Sequence, residues 1–334
     1  MTKASKAGTI RLDPVQIAKK YGIIIVLILM IIGLSVAEPA FLSSVNIFNV
    51  LTQSSIFGIM ALGLTFVIIS KGIDLSVGSV LAFAGVVAAS LGQLPSATGK
   101  YFPNLAQMPV IVPIVAALGI GALLGAVSGL LIARTRIPAF IATLGMMTVA
   151  RGLALIYSSG KPVSTLIPSL TALGGKVFNV IPVPVIIYFI MILISSILLN
   201  RTRFGKNIYA IGGNITAAEV SGVNVSKNLI WIYTYSGLLA GLAAIVFAGR
   251  VGSVHPGAAS GYELTAIAAT TIGGTSHSGG IGTVWGAFVG ALVLAVMRNG
   301  LTLLGVDAYW QQVVEGLIIV VAVIIDMRKN AKRD

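Results

Sequence analysis

Asp74, Glu263, Arg298 and Glu315 are the residues of this chain best placed to do chemistry, because each falls inside or beside a run of apolar residues. An ionised side chain there costs ~2.5–3.5 kcal/mol unless it is paired or wet. Such groups serve as proton or ion relays, as path-lining contacts, or as internal ion pairs. Asp74 stands in GIDLSVGS, residues 72–79, with Ser76 next but one. Its carboxylate reads as a cap for the following helix, meeting the free N–H groups and positive dipole end. Glu263 stands in the similar GYEL of 261–264 and reads the same way, near the outer membrane face. Arg298 and Glu315 lie at matching depths of the last two apolar runs, counted at ~1.5 Å per residue, and are expected to pair. Arg151 has no evident partner and is expected to snorkel to the headgroups.

Nucleophilic and metal chemistry find no constellation. The sequence has no Cys and only two His, His255 and His277, far apart and without a nearby carboxylate pair. Neither a metal centre nor a nucleophile–base pair is expected from that set. The Gly-rich GGTSHSGG of 273–280 invites a phosphate-loop reading. That loop needs a Lys to reach the phosphates and a hydroxyl to hold magnesium, and no Lys follows here. No ATP site, cofactor or metal is expected on this chain, and His277 reads as a solvated loop residue.

The elements that must position these residues follow from composition. At 57% hydrophobic and 9% charged residues, with mean hydropathy +1.00, the chain cannot hide its apolar surface in one soluble core. It reads as an all-α polytopic membrane protein. A net charge of +13 and a pI near 10.1 would suggest nucleic acid in a soluble protein. Here most Lys and Arg flank apolar runs, which is the positive-inside pattern, so no nucleic-acid partner is expected.

About ten spans are expected, at 21–37, 51–70, 76–94, 109–133, 138–158, 182–199, 229–248, 262–273, 283–304 and 308–325, against the ~20 residues that a ~30 Å apolar core needs. The eighth is short. The first lacks a convincing cleavage site and reads as an uncleaved span. Residues 1–20 form a basic N-terminal segment, 21–327 the transmembrane domain with a polar loop at 200–228, and 328–334 a basic tail. Lys71, Arg134, Arg136 and the basic residues of 201–227 fall on the same side as both termini. Only Lys100, Lys161 and Lys176 fall clearly outside. That asymmetry puts both termini in the cytoplasm.

The longest polar segment between apolar runs is 201–228, RTRFGKNIYAIGGNITAAEVSGVNVSKN. Thr216-Ala217-Ala218-Glu219 has the spacing of a capping box, with Asn214 a second cap. Gly222 can take the left-handed conformation that ends a helix. A helix of roughly two turns over 216–221 is expected, opened by Gly212-Gly213. The small Ala217 and Ala218 would let a partner approach its backbone, although the same features suit an ordinary connector.

The words TRFGKNIYAIGGN and AAEVSGVNV resemble the sugar permeases of ATP-binding-cassette importers, the ribose, galactose, xylose and arabinose permease family, with the galactose type nearest in this stretch. GIDLSVGS is similar to the ribose type. The resemblance covers nearly the whole chain from the first span. It implies that the loop between the sixth and seventh spans docks on a cytoplasmic ATPase through Gly213, Asn214, Thr216, Ala217, Ala218, Glu219, Ser221 and Gly222. It implies that the 273–280 loop lines a gate, with Thr275, Ser276, Asp74, Ser76 and Glu263 as pathway or gate candidates. It also implies two permease copies in the bacterial inner membrane, a periplasmic sugar-binding protein as donor, and a fold like that of the vitamin importers.

A faint internal repeat accords with this. GIDLS at 72–76 matches GYELT at 261–265, and GALLGA at 121–126 matches GAFVGA at 286–291. Mapping spans 2–5 onto 7–10 makes the halves inverted about an in-plane axis. A stand-alone secondary transporter or channel, coupled through Asp74, Glu263 or Glu315, and a permease for a non-sugar cargo remain the alternatives. A membrane enzyme is disfavoured by the missing nucleophile and base.

Overall fold

Helix α2 (Ser44–Ile69) is the axis of the molecule, and 89% of its apolar window is buried by the rest of the chain. The structure, a computed structural model, describes residues 14–330. Most of the basic N-terminal segment and the last four residues of the basic tail lie outside the described residues. The helix α1 (Pro14–Ala37) begins earlier than the expected 21. Ser43 caps α2 by accepting from the Asn46 N–H at 3.3 Å.

In chain order follow α3 (Val77–Leu91), α4 (Ile111–Thr135), α5 (Ala139–Ser158), α7 (Val183–Arg201), α10 (Val225–Val251), α11 (Tyr262–Ile272), α12 (Val284–Leu303) and α13 (Ala308–Asn330); α7, α10, α11 and α12 pack on α2, α3 and α4 on α10, α5 on α3 and α4, and α13 on α11 and α12. A short α6 (Pro168–Thr171) lies between α5 and α7, and α8 (Arg203–Gly213) and α9 (Ile215–Val220) lie between α7 and α10. The breaks have local causes. Arg136 takes a left-handed φ of 58° and Pro138 follows it, separating α4 from α5. Thr283 caps α12 through Gly286 N at 3.0 Å, and Asn224 caps α10 through Lys227 N at 2.9 Å.

Seven helices among the described residues are long and apolar enough to cross a membrane: α2, α4, α5, α7, α10, α12 and α13. The apolar part of α1 described as 21–37 is shorter, α3 has 15 residues and α11 has 11. The third and eighth expected spans are therefore each filled by one helix that is too short to cross a membrane by itself. The chain from Lys71 to Ser76 is non-helical, and Asp74 on it is bonded to Ser236 near the middle of α10, so α3 starts at depth. Gly78, one residue into α3, packs against Glu263 and the Ala259 carbonyl beside the start of α11. The N-termini of two short helices thus meet in the interior.

Close packing is set by small residues. On α4, Gly121, Gly125 and Gly129 lie against the α10 backbone, where a Cβ at Gly125 would collide with the Tyr233 carbonyl oxygen, whereas Gly119 faces open space. This is the small-residue contact by which membrane helices approach closely.

The segments opposite α8 and α9 are stapled to each other. Strand β1 (Val163–Ser164) pairs antiparallel with β4 (Ser253–Val254), and β2 (Lys176–Val177) with β3 (Ile181–Pro182). Gln93 bridges to Leu166 and also accepts from Tyr101 N at 2.8 Å.

Candidate functional site

Three places gather the residues singled out in the sequence. The first is the α7–α10 connection. Thr202 caps α8 by accepting from Gly205 N at 3.2 Å. Its inward face, with Ile208, Ile211 and Gly212, is buried, and Gly212 abuts the Ile69 carbonyl at the end of α2. Tyr209 donates to the Gly282 carbonyl at 2.8 Å. The amphipathic spacing of 204, 208 and 211 was hidden in the sequence by flanking Lys, Asn and Gly residues.

The helix α9 opens differently from the expected capping box. Asn214, not Thr216, is the cap, and its Oδ1 accepts from Ala217 N at 3.0 Å. Thr216 lies inside the first turn and Glu219 in the last, so the reciprocal pair cannot form. The close follows the expected route: Gly222 has φ 84°, its N–H reaches the Glu219 carbonyl, and Val223 N reaches the Ala218 carbonyl at 3.0 Å, which is the Schellman pattern. Ala218 is only 3% exposed, seated on Ile211 and Val225, so it anchors the helix instead of offering a surface. Thr216, Ala217, Glu219 and Ser221 face outward. With them stand two residues the sequence reading missed, Ile215 at 49% and Val220 at 87% exposure. Their signal was a branched apolar residue at each end of the six-residue stretch ITAAEV.

The second place is the interior junction of α3 and α11. Asp74 is buried and accepts from Ser76 N at 2.9 Å, Ser76 Oγ at 2.6 Å and Ser236 Oγ at 2.8 Å. Ser76 occupies the cap position of α3 but makes no capping bond to the helix, since its hydroxyl is held by Asp74. The expected Asp74 cap is therefore corrected to a turn that ties α3 to α10. Glu263 accepts from Gly261 N at 3.2 Å, and its Oε2 has no partner. It sits against Gly78 in the interior of the helix bundle. Arg151 does not snorkel: it donates to the carbonyls of Pro256 at 2.6 Å and Ala258 at 2.9 Å, fixing the non-helical approach to α11. GIDLS and GYELT both lead into short helices, but out of register, because Asp74 precedes α3 while Glu263 lies within the first turn of α11.

Close to α11, Arg298 donates Nε to Glu315 Oε2 at 3.0 Å and also engages it through Nη2. Thr265 Oγ1 donates to Glu315 Oε1 at 2.6 Å and accepts from Arg298 at 2.8 Å. Three helices thereby share one polar knot.

The third place is the 273–283 loop. Gly280 N donates to the Ile69 carbonyl at 2.8 Å. Ser276 Oγ and the His277 N–H both reach Asp326 Oδ2 on α13, at 3.2 and 3.0 Å. His277 is half-buried, with Nε2 2.8 Å from Thr271 Oγ1, and is not the solvated residue expected. Thr275 is buried and its hydroxyl lacks a partner. No group of three His, Asp or Glu able to hold a metal occurs among the described residues.

This geometry defines a polytopic helical membrane protein with a tightly structured connection between α7 and α10. The chain belongs to the family described as branched-chain amino acid transport system / permease component, which matches residues 46–323. It is 43% identical over 312 residues to the ribose import permease protein of Escherichia coli (strain K12), covering 92% of this chain and 93% of that one. The galactose/methyl galactoside import permease protein of Salmonella typhimurium (strain LT2) is 40% identical over 322 residues, covering 94% and 96%. The ribose import permease protein of Bacillus subtilis (strain 168) is 41% identical over 317 residues, covering 94% and 95%. No solved structure matches at a significant level.

Proposed function

We propose that this chain is the membrane permease subunit of an ATP-driven, binding-protein-dependent importer that carries a monosaccharide, of ribose or galactose type, into the bacterial cytoplasm. The observation that carries this reading is identity of 40–43% over more than nine-tenths of the chain to ribose and galactose import permeases. Two such permeases with different sugars align almost equally well, so the cargo is set largely by a separate periplasmic binding protein. ATP hydrolysis belongs to a separate cytoplasmic ATPase, and the permease itself performs no bond chemistry.

In this reading α9 is the coupling element. Asn214 and Gly222 bound it, Ala218 seats it on α8 and α10, and Gly213, Thr216, Ala217, Glu219 and Ser221 lie on or beside its outward surface together with Ile215 and Val220. Six residues make a stable knob only because both ends are capped and one face is seated. Motion of an ATPase bound there passes through α8, whose Gly212 touches the end of α2, to the Thr275–Ser276 loop. We place both termini in the cytoplasm and assign ten crossings. The third and eighth are part extended and part helix, supported by the short α3 and α11. Their similar lead-in sequences and interior meeting support an inverted pair of half-molecules. Two copies would form the path, and the apolar faces left open on α5 and α13 accommodate a neighbour.

The test is to solubilise tagged chain mildly and ask whether an ATPase copurifies. Wild type should retain it, and Val220→Asp and Glu219→Lys should lose it while eluting as folded protein. Retention by both variants would remove α9 from the coupling role. Uptake by reconstituted complex, with ribose, galactose and leucine in competition, then reads the cargo; competition by leucine alone would favour the amino-acid cargo in the family's description.

A further inference from the structure

Two clefts open between α7, α8 and α10, and they meet at Phe204 and Trp231, which line both. One, of about 370 Å³, is walled further by Leu198, Thr234, Tyr235 and Leu238. The other, of about 500 Å³, is lined by Asn207, Ser221, Asn224, Lys227 and Asn228. From Lys227 to Leu238 along α10 the rise is about 16 Å at ~1.5 Å per residue. That is about half of a ~30 Å hydrocarbon core, or one leaflet. The composite groove is therefore one leaflet deep, with amides, a hydroxyl and an ammonium at one end and an apolar trough at the other.

We propose that this groove binds one anionic phospholipid of the cytoplasmic leaflet, its phosphate at Lys227 and one acyl chain along Trp231, Tyr235 and Leu238. Charge selects the anionic class. No acid lines either cleft, Lys227 makes no ion pair among the described residues, and Arg201, Arg203 and Lys206 lie on the same connection. Asn207 supplies an amide to the head group while its Nδ2 also reaches Asn228 Oδ1 at 3.4 Å. Trp231 is 56% exposed where the polar and apolar halves join, the position where an indole ring suits a membrane interface. Ser221 and Gly222, which close α9, form part of the head-group wall. A lipid seated there buttresses the turn that positions α9. The site requires that α10 spans the bilayer, its assignment to the cytoplasmic leaflet rests on the proposed orientation, and it stands or falls separately from any cargo or ATPase.

The chain has three Trp residues, so Trp285→Phe and Trp310→Phe leave Trp231 as sole reporter. The full-length variant is reconstituted into phosphatidylcholine vesicles containing a small, equal fraction of acyl-brominated phosphatidylglycerol or acyl-brominated phosphatidylcholine. Brominated phosphatidylglycerol should occupy the groove about fivefold more readily, the ratio that corresponds to ~1 kcal/mol for one Lys near an anionic lipid. Adding Lys227→Glu should abolish that preference while quenching by brominated phosphatidylcholine persists, which shows the protein still inserted. Equal quenching by both lipids, an undiminished preference in Lys227→Glu, or no quenching by either because protein covers Trp231 would each overturn the proposal.

Discussion

Thr265 stands between Arg298 and Glu315 and bonds to both, so that ion pair is a three-residue unit. Removing one partner from a buried pair leaves an uncompensated charge and typically costs ~3–5 kcal/mol, whereas replacing both by apolar groups of similar size is often near neutral. Glu315→Gln or Arg298→Met alone should therefore lower the thermal midpoint of the purified protein far more than the double substitution Arg298→Met with Glu315→Leu. Equal loss in all three would mean the pair is incidental to stability. His277 provides a pH dependence. Burial holds its imidazole below the usual value, with Asp326 opposing part of the shift, while the unfolded chain titrates near ~6.5. As pH falls through that value the unfolded state takes up the proton first, so stability declines until the folded pKa is passed and then levels off. His277→Gln should flatten that decline in a pH series of thermal midpoints. A decline unchanged in the variant would assign it to other groups.

Among the elements, the α4–α10 contact has no room for a single added methyl group at Gly121 or Gly125. A Cβ at Gly125 or Gly121 meets α10 backbone that cannot rotate away, and overpacking of this kind typically costs ~1–3 kcal/mol or more. Gly125→Ala should reduce the yield of monodisperse protein in detergent, and Gly119→Ala, facing open space, should not. The helical, membrane-spanning character of the chain was legible because long apolar runs admit little else. The Gly121–Gly125 spacing on α4 was visible in GALLGA at 121–126, although what it packs against was not. What escaped were features decided by tertiary contact. The helix α8 was obscured because Arg203, Lys206 and three glycines among its eleven residues read as loop composition. The cap of α9 went to Asn214 because chain entry from α8, not the Thr–Glu spacing, sets where the helix starts. Asp74 was read as a helix cap, whereas it forms a turn with Ser76, and its bond to Ser236 joins residues 162 positions apart, beyond any local pattern.

For the molecule as a whole, the proposed orientation can be read by labelling, because the chain has no Cys. Thr216→Cys, outward on α9, should react with a membrane-impermeant maleimide only from the cytoplasmic face. Ser169→Cys, exposed on α6, should react only from the opposite face. Labelling of both from one side would break the topology. The interior meeting of α3 and α11 bears on how such a body can move. A helix shares its amide bonds among its own turns, so bending it at depth breaks several at once. The stretches before α3 and α11 are held instead by single attachments to separate neighbours: Thr143 Oγ1 to the Ile73 carbonyl at 3.1 Å, Ser236 to Asp74, and Arg151 to Pro256 and Ala258. Attachments of that kind can be exchanged one at a time. The molecule therefore carries, at its most enclosed level, two joints that turn without any helix melting, and amide exchange there should outpace that of α2 on either side of the same depth.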